Sequence, residues 1–419
     1  MSKLSEKGSL QAEPAEQLQL EQILDESQQI QGVSLWQDAW RRLKRNRVAY
    51  RSMHVLIGLA LLAILTPLIP LQSPIDKDLN DRQFLPPTMA SSSMGSRAGL
   101  KFSEGRLTTQ LQAVESQIAA LEIELGTLST EEARNQIEQS IKQKRVVGHP
   151  FNQLWHNLGP VSWTMCRLRV AVFGDYAIPS ICGTDQLGRD VLSRIMWGAR
   201  VSLTVGIVAT LVSLIIGVSY GAIAGYFGGW IDAVMMRIVD TLYSVPFIFV
   251  VIFIMTFLGE DSVKKRLEQF GINQLTVFYL IIGAIYWLTM SRVVRGQVLS
   301  LKNEQFVEAA RTIGASPARI VFRHLVPNVL GVVIVYLTLT IPAVMLFEAF
   351  LSFLGLGVSP PDVSWGLLLK DGVDALSSVK LFWWMVVFPG AALALTLFAL
   401  NFLGDGLRDA LDPKMKNKD

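Results

Sequence analysis

Six runs of apolar residues, each long enough to cross a bilayer, set the first constraint on this chain of 419 residues. A helix needs about 20 apolar residues to span the hydrocarbon core. The runs of this length are 53–71, 201–226, 238–258, 275–294, 329–356 and 382–403. Continuous apolar runs are typical of spanning helices, because a helix satisfies its own backbone polar groups inside lipid. The sequence therefore predicts an all-α polytopic membrane protein with six transmembrane helices.

The composition agrees with a membrane protein. Hydrophobic residues make up 51% of the chain and charged residues 17%, whereas soluble domains are usually about 25% charged. The first thirty residues are polar and rich in Gln and Glu, which is typical of a disordered lead and not of a cleavable signal peptide. We assign residues 1–38 to this lead and residues 39–72 to a basic flank with the first transmembrane helix.

Lysine and arginine residues in the loops predict the orientation. The sequence RRLKRNRVAYR precedes the first run, and the segment 292–323 and the tail 405–419 are also rich in basic residues. The expected localisation is the cell inner membrane, multi-pass, with both termini cytoplasmic. One loop expected outside, EDSVKKRLEQ, carries three basic residues together with three acidic ones.

Residues 73–182 are expected outside the membrane and contain a helical hairpin. Its apolar residues recur at alternating spacings of four and three, which indicates a heptad seam, and they are Leu107, Leu111, Val114, Ile118, Leu121, Leu125 and Leu128. Ser129 and Glu132 have the spacing of a capping box that begins a second helix, and LPPTMASSSMGSRAG before the hairpin is typical of a flexible link. The hairpin, at 103–146, is either a spacer or a docking surface for an outside partner.

Charged residues are dense at 183–199, just before the second run. This segment is either an amphipathic helix on the outer membrane face, with Asp190 and Arg194 paired at i,i+4, or a structured collar at an outer gate. Asp185, Arg189 and Asp190 are the gate candidates within it. Glu348 is a fourth candidate, since an acid in a span is a functional candidate by default, although its depth also suits an interfacial carboxylate.

Three further expectations concern paired residues and missing sites. Cys166 and Cys182 are expected to form a disulfide, because both fall in the outside segment, where disulfides persist. Asp240 is expected to pair with Arg237, three residues earlier. The dipeptide Gly-Lys does not occur, so the chain has no phosphate-binding loop of its own, and we expect no catalytic residue, metal site or cofactor in it.

The cytoplasmic loop at 303–327 is predicted to contain two short, capped helices. The first is expected over 303–313 and to end at Gly314 in the left-handed conformation. The second is expected to begin after Ser316, with Pro317 at its first position, and to stop at Pro327. Ala309 and Ala310 give the first helix a face that another surface could approach closely. On physical grounds the loop is either a force-transmitting contact or an inert connector.

Four motifs in this chain resemble one family. EAARTIGASPARIVFRHLVPN, with Glu308, Ala309, Ala310, Gly314 and Pro327, is similar to the EAA loop of binding-protein-dependent ABC importer permeases. GTDQLGRDVLSRIMWGARVSL, EAFLSFLGLGVSPPDVSWG and LGDGLRDALDPK resemble the C-type permease of oligopeptide and dipeptide importers. These motifs occur in the family's order between residues 182 and 414. The hairpin is the departure from the family pattern.

The resemblance implies a type I ABC importer permease fold, with the transmembrane domain at 200–404. It implies a heterodimer with a second homologous permease in a lipid membrane, together with two cytoplasmic ATPase subunits that bind ATP and Mg. An extracytoplasmic solute-binding protein would deliver a peptide substrate, and no nucleic acid is involved. The EAA loop would couple ATP hydrolysis to transport. Two alternatives stay open: the same architecture importing nickel chelates or another small solute, and an ion-coupled carrier that acts alone.

Overall fold

The computed structural model describes residues 35–87, 101–102, 105–127, 131–146, 148–156, 158–258, 260, 263, 266–267, 274–376 and 380–411. The first helices are α1 (Leu35–Arg45), α2 (Arg47–Leu65), α3 (Leu107–Thr127), α4 (Glu131–Val146), α5 (Pro150–Trp155) and α6 (Pro160–Phe173). They are followed by α7 (Val191–Phe227), α8 (Gly229–Ser244), α9 (Phe247–Leu258), α10 (Gln274–Leu301), α11 (Gln305–Thr312), α12 (Pro317–Arg319), α13 (Val326–Phe353), α14 (Trp365–Asp374) and α15 (Trp384–Leu411). One antiparallel pair of two-residue strands, Lys101–Phe102 and Gly105–Arg106, precedes α3.

The predicted helical membrane fold is confirmed. Five helical segments in the described part of the chain are long and apolar enough to cross a bilayer: Arg47–Leu68, Val191–Phe227, Thr276–Leu301, Pro317–Phe353 and Trp384–Leu411. A sixth candidate is the bent pair of α8 and α9. The six predicted apolar runs correspond to these six elements one by one.

The third predicted run does not form a straight helix. The helices α8 and α9 meet at an angle of 77°. Val245 between them is extended (φ −78°, ψ 125°), because a residue before proline is disfavoured in the helical region, and Pro246 follows it. The predicted boundary at residue 238 is therefore wrong, since α8 begins at Gly229.

The packing of α7 against α10 holds the centre of the bundle. Gly217, Gly221 and Gly225 are spaced four apart on α7 and face α10. A Cβ atom on Gly221 would lie 2.3 Å from the backbone oxygen of Ser291. Small residues at this spacing let two membrane helices approach closely, so that dispersion contacts and backbone proximity hold them together.

The segment at 73–182 contains the two predicted hairpin helices, α3 and α4. Ile118 of α3 and Ile141 of α4 are buried, and the Lys144 ammonium donates to the Gln117 side chain at 2.7 Å. Leu107, the first residue of α3, is fully buried in a cluster with aromatic and aliphatic residues of α5 and α6. The base of the hairpin is thus packed into the neighbouring helices. Leu128, the Ser129 cap and most of the predicted link lie outside the described residues.

The N-terminal boundary differs from the prediction. Helix α1 begins at Leu35, inside the segment assigned to the disordered lead. Ala39 and Leu43 pack with Ala49 of α2 and Ala410 of α15. This apolar contact gives the basic sequence a helical structure that composition alone does not indicate. The rest of the lead and most of the tail, from residue 412 onward, lie outside the described residues.

Candidate functional site

The loop between α10 and α13 contains the motif that the sequence singled out. In α11, Val307 and Ala310 are buried, and they pack with Ile320, Val321 and Leu325. Glu308 and Ala309 are exposed. The first helix therefore presents the Glu308–Ala309 side outward, while Ala310 belongs to the core and not to the outer face.

Gly314 ends α11 as predicted. Its φ is +80°, in the left-handed region that glycine adopts without a side-chain clash. Its amide donates to the Arg311 oxygen at 3.0 Å, and the Ala315 amide donates to the Ala310 oxygen at 3.0 Å. These two bonds form a Schellman motif, which satisfies the last carbonyls of the helix and fixes the direction of the chain after it.

The second half of the loop is longer than predicted. The Ser316 hydroxyl accepts from the Arg319 amide at 3.4 Å, with Pro317 at the first turn, so the predicted cap is confirmed. The predicted stop at Pro327 is wrong. A π-helical turn, Ile320–Leu325, connects α12 to α13, and the helix continues through the proline to Phe353. In a π turn each amide bonds to the carbonyl five residues earlier and not four. This shift lets the helix accommodate Pro327, which has no amide hydrogen to donate.

An apolar patch on the loop was not predicted. Ile313 is 83% exposed, Phe322 50% and Phe306 38%. The same loop carries the exposed charged residues Glu308, Arg311, Arg319 and Arg323. A helical wheel of α11 does not indicate the exposure of Phe306, because it places this residue beside the buried Ala310 at i,i+4. Exposed apolar residues within a polar rim are typical of a protein–protein contact surface.

A buried cluster of charges surrounds Asp185 near the start of α7. The Asp185 carboxylate accepts from the amides of Leu187 (2.8 Å) and Arg189 (2.9 Å). It also accepts from the guanidinium groups of Arg189 and Arg194, each at 2.7 Å. Both guanidinium groups reach Asp371 of α14 as well, at 3.4 and 3.0 Å. Arg194 and Asp371 therefore belong to the same cluster as the gate candidates Asp185 and Arg189. Neither Arg194 nor Asp371 was selected as a candidate from the sequence.

Asp190 does not pair with Arg194, which corrects the i,i+4 prediction. Its carboxylate caps α7 and accepts from the Ser193 amide at 2.6 Å. Residues 183–190 form a loop closed by a bridge between Thr184 and Asp190, and α7 runs without interruption from Val191. There is no separate amphipathic helix at 183–199. Burial raises the pKa of Asp190 to about 6.

Glu348 is buried inside the helical bundle, and its interfacial depth stays a prediction. It is 1% exposed and accepts from the hydroxyls of Ser352 at 2.7 Å and Ser202 at 3.3 Å. The Ser202 hydroxyl also accepts from the Trp365 amide at 3.2 Å. Glu348 is separate from the Asp185 cluster, but α14 touches both, because Trp365 begins this helix and Asp371 lies near its end.

The remaining paired residues differ from the predictions. Cys166 and Cys182 are free, buried thiols in two different hydrophobic clusters, so the predicted disulfide is not formed. Burial raises the pKa of the Cys166 thiol to about 12 and that of Cys182 to about 11. Asp240 pairs with Arg292 at 2.8 Å, on the neighbouring helix, and not with Arg237.

No group of three or more metal-binding side chains occurs among the residues described.

Comparison with known families identifies the class of protein. Residues 217–417 match the family "Binding-protein-dependent transport system inner membrane component". Residues 34–87 match the "N-terminal TM domain of oligopeptide transport permease C". The chain belongs to this family of transport permeases. Residues 88–216, which contain the hairpin, lie between the two matches.

Curated relatives agree with the family. The chain is 49% identical over 232 residues to the oligopeptide transport system permease protein OppC of Haemophilus influenzae, covering 55% of this chain and 70% of that protein. It is 47% identical over 234 residues to the dipeptide transport system permease protein DppC of Bacillus subtilis, covering 56% and 68%. A solved structure of the MetNI methionine ABC transporter matches with a TM-score of 0.41 and 19% identity, over 52% of this chain and 96% of that one.

Proposed function

We propose that this chain is the membrane permease subunit of an ATP-driven importer, and that the loop from Gln305 to Leu325 binds the ATPase subunits. The observation that carries the proposal is the exposed patch of Phe306, Ile313 and Phe322 on a loop that is capped at both turns. A rigid loop transmits a partner's displacement, whereas a flexible one absorbs it. Glu308 and Ala309 flank the patch on α11, Gly314 sets its geometry, and Pro327 lies one residue into α13.

The partners follow from this assignment. A second homologous permease completes the pathway as a heterodimer, two ATPases bind ATP and Mg on the cytoplasmic side, and a solute-binding protein delivers substrate from outside. The chain itself is not an enzyme and carries no nucleotide site or cofactor. In this assignment both termini are cytoplasmic, because basic residues are concentrated before α2 and in the loop at 303–327, and loops rich in Lys and Arg favour the cytoplasmic side. Single cysteines introduced before α2 and tested with a membrane-impermeant thiol reagent report this orientation; labelling from outside in intact cells contradicts it.

The contact with the ATPases is tested with a matched pair of variants. Ile313→Asp places a charge in the patch, and Ile123→Asp places the same charge on α3, where the isoleucine is 72% exposed. Burying an isoleucine side chain contributes about 1.5–3 kcal/mol, so we expect Ile313→Asp to reduce co-purification of the ATPase subunits about tenfold or more. Ile123→Asp should leave it unchanged. Equal recovery of ATPase with both variants contradicts the proposed contact.

Peptides are the proposed substrate class. The curated relatives are named for oligopeptide and dipeptide transport, and the match to the oligopeptide permease N-terminal domain supports the same class here. The alternatives are a nickel chelate or another small solute on the same architecture, and an ion-coupled carrier. Uptake into proteoliposomes, with the native ATPases and binding protein, is measured for a labelled oligopeptide against a nickel chelate. Uptake by the purified chain alone, driven by an ion gradient, contradicts the ABC mechanism.

A further inference from the structure

Helix α1 places a set of basic residues beside the start of the first membrane span. One residue, Asn46, separates α1 from α2, and its side chain accepts from the Ala49 amide at 3.2 Å. The ψ of Asn46 is 96°, which is extended, so α1 does not continue the axis of α2. Ala39 and Leu43 of α1 are buried against the ends of α2 and α15. The helix therefore rests on two membrane helices at the point where they leave the bilayer.

The opposite face of α1 is cationic and exposed. Arg41 and Lys44 lie on this face, and Arg47 and Arg51 continue the exposed positive charge along the first turns of α2. The acid within α1, Asp38, pairs with Arg42 at 2.9 Å. On the α15 end that α1 covers, Asp405 and Asp409 are exposed, with Arg408 between them. The surface around α1 thus keeps an excess of positive charge.

Large apolar side chains are exposed among these cations. Trp40 is 44% exposed, and the Lys44 ammonium lies 5.2 Å from the centre of its ring. Val48, in the first turn of α2, is 53% exposed. Tryptophan is enriched where the headgroups meet the acyl chains, and an amphipathic helix with basic and aromatic residues is typical of the membrane interface. A surface in open solvent would gain nothing from exposing Trp40 and Val48.

We propose that the exposed face of α1 and the first turn of α2 bind the headgroups of anionic phospholipids, with Arg41, Lys44 and Arg47 contacting the phosphates. Guanidinium and ammonium groups form charge-assisted hydrogen bonds to phosphate oxygens. Basic clusters immediately next to a membrane helix attract anionic lipids. Because α1 is packed on α15, a bound lipid also fixes the last turns of that helix. The proposal is independent of the transported substrate and of the ATPases.

The test uses the purified full chain and measures retention of phosphatidylglycerol against phosphatidylcholine by native mass spectrometry. We expect the natural chain to retain phosphatidylglycerol in preference. The double variant R41Q/K44Q should bind it about thirtyfold more weakly, since each basic residue near an anionic surface contributes separately. The charge-conserving variant R41K/K44R should retain the preference. The control R134Q/K142Q removes the same two charges from exposed positions on α4 and should leave binding unchanged.

Two results overturn the proposal. The first is equal retention of phosphatidylglycerol by R41Q/K44Q and the natural chain; if this variant also loses ATPase co-purification, the face is a protein interface. The second is displacement of the lipid by an equal concentration of inorganic phosphate or glycerol phosphate, which would indicate a site for a free anion. Monodisperse elution of R41Q/K44Q in size-exclusion chromatography confirms that the comparison is made on folded protein.

Discussion

Replacing Arg194 by glutamine should destabilise the protein far more than the same replacement at Arg292. Arg194 has a side chain that is 1% exposed, and it bonds to Asp185, which is 1% exposed, and to Asp371, which is 18% exposed. Without Arg194, the cluster holds two carboxylates and the single guanidinium of Arg189, and such an excess of buried charge costs about 3–5 kcal/mol. Arg292 pairs with Asp240 at a similar distance, 2.8 Å, but the two side chains are 40% and 58% exposed. An exposed pair contributes less than about 1 kcal/mol.

The two buried cysteines supply the assay. Thermal unfolding of the purified chain in detergent exposes both thiols, and a thiol-reactive fluorophore reports the transition. We expect Arg194→Gln to lower the free energy of unfolding by about 3 kcal/mol or more, and Arg292→Gln by less than about 1 kcal/mol. The double variant R194Q/D185N removes one carboxylate as well and leaves Arg189 opposite Asp371, so the loss should be smaller than the sum of the two single losses. Equal transitions for R194Q and R292Q would refute the reasoning.

Three further predictions use the same unfolding measurement or simple labelling. Gly314→Ala should lower the free energy of unfolding by about 1 kcal/mol from backbone strain alone, because no atom lies within 4 Å of the added Cβ. Gly221→Ala should lower it further, because the added Cβ would overlap a backbone oxygen of α10. Both Cys166 and Cys182 should react with an alkylating reagent after denaturation without reductant; a bridge found by non-reducing mass mapping contradicts this. Burial raises the pKa of Asp190 from its ordinary value of 3.8 to about 6, so its contribution to stability is complete below pH 3.8 and is lost as the pH rises to about 6. Over that interval the natural chain should lose about 3 kcal/mol of stability relative to Asp190→Asn, which keeps a capping residue. Parallel pH profiles of the two proteins would contradict this.

The membrane spans were predictable because length and apolarity decide them locally. Each apolar run corresponds to an element of the structure, and the glycine and serine that cap the loop at 303–327 were identified from residue type alone. Local signals were sufficient there because a left-handed position at Gly314 or an N-cap at Ser316 depends on a few neighbouring residues.

The partners of charged residues were not predictable by the same reasoning. Sequence spacing assigned Arg194 to Asp190 and Asp240 to Arg237, the nearest candidates along the chain. The structure pairs Arg194 with Asp371, which is 177 positions away, because the bundle brings α14 to the start of α7. The proline rule likewise failed at Pro327, since a π turn before it lets the helix continue. Tertiary packing decides these features, and one sequence contains no direct signal of it.

The continuity of the helix from Pro317 to Phe353 gives the molecule a lever arm. Its 37 residues correspond to a length of about 55 Å at 1.5 Å per residue. One end lies three residues after Gly314, and Glu348 lies near the other, bonded to the hydroxyl of Ser202 on α7. A tilt of about 5° applied at the loop would displace the far end by about 5 Å if the rod pivots at its loop end. Such a displacement exceeds the length of a hydrogen bond, so a small rotation at the loop is enough to separate Glu348 from Ser202.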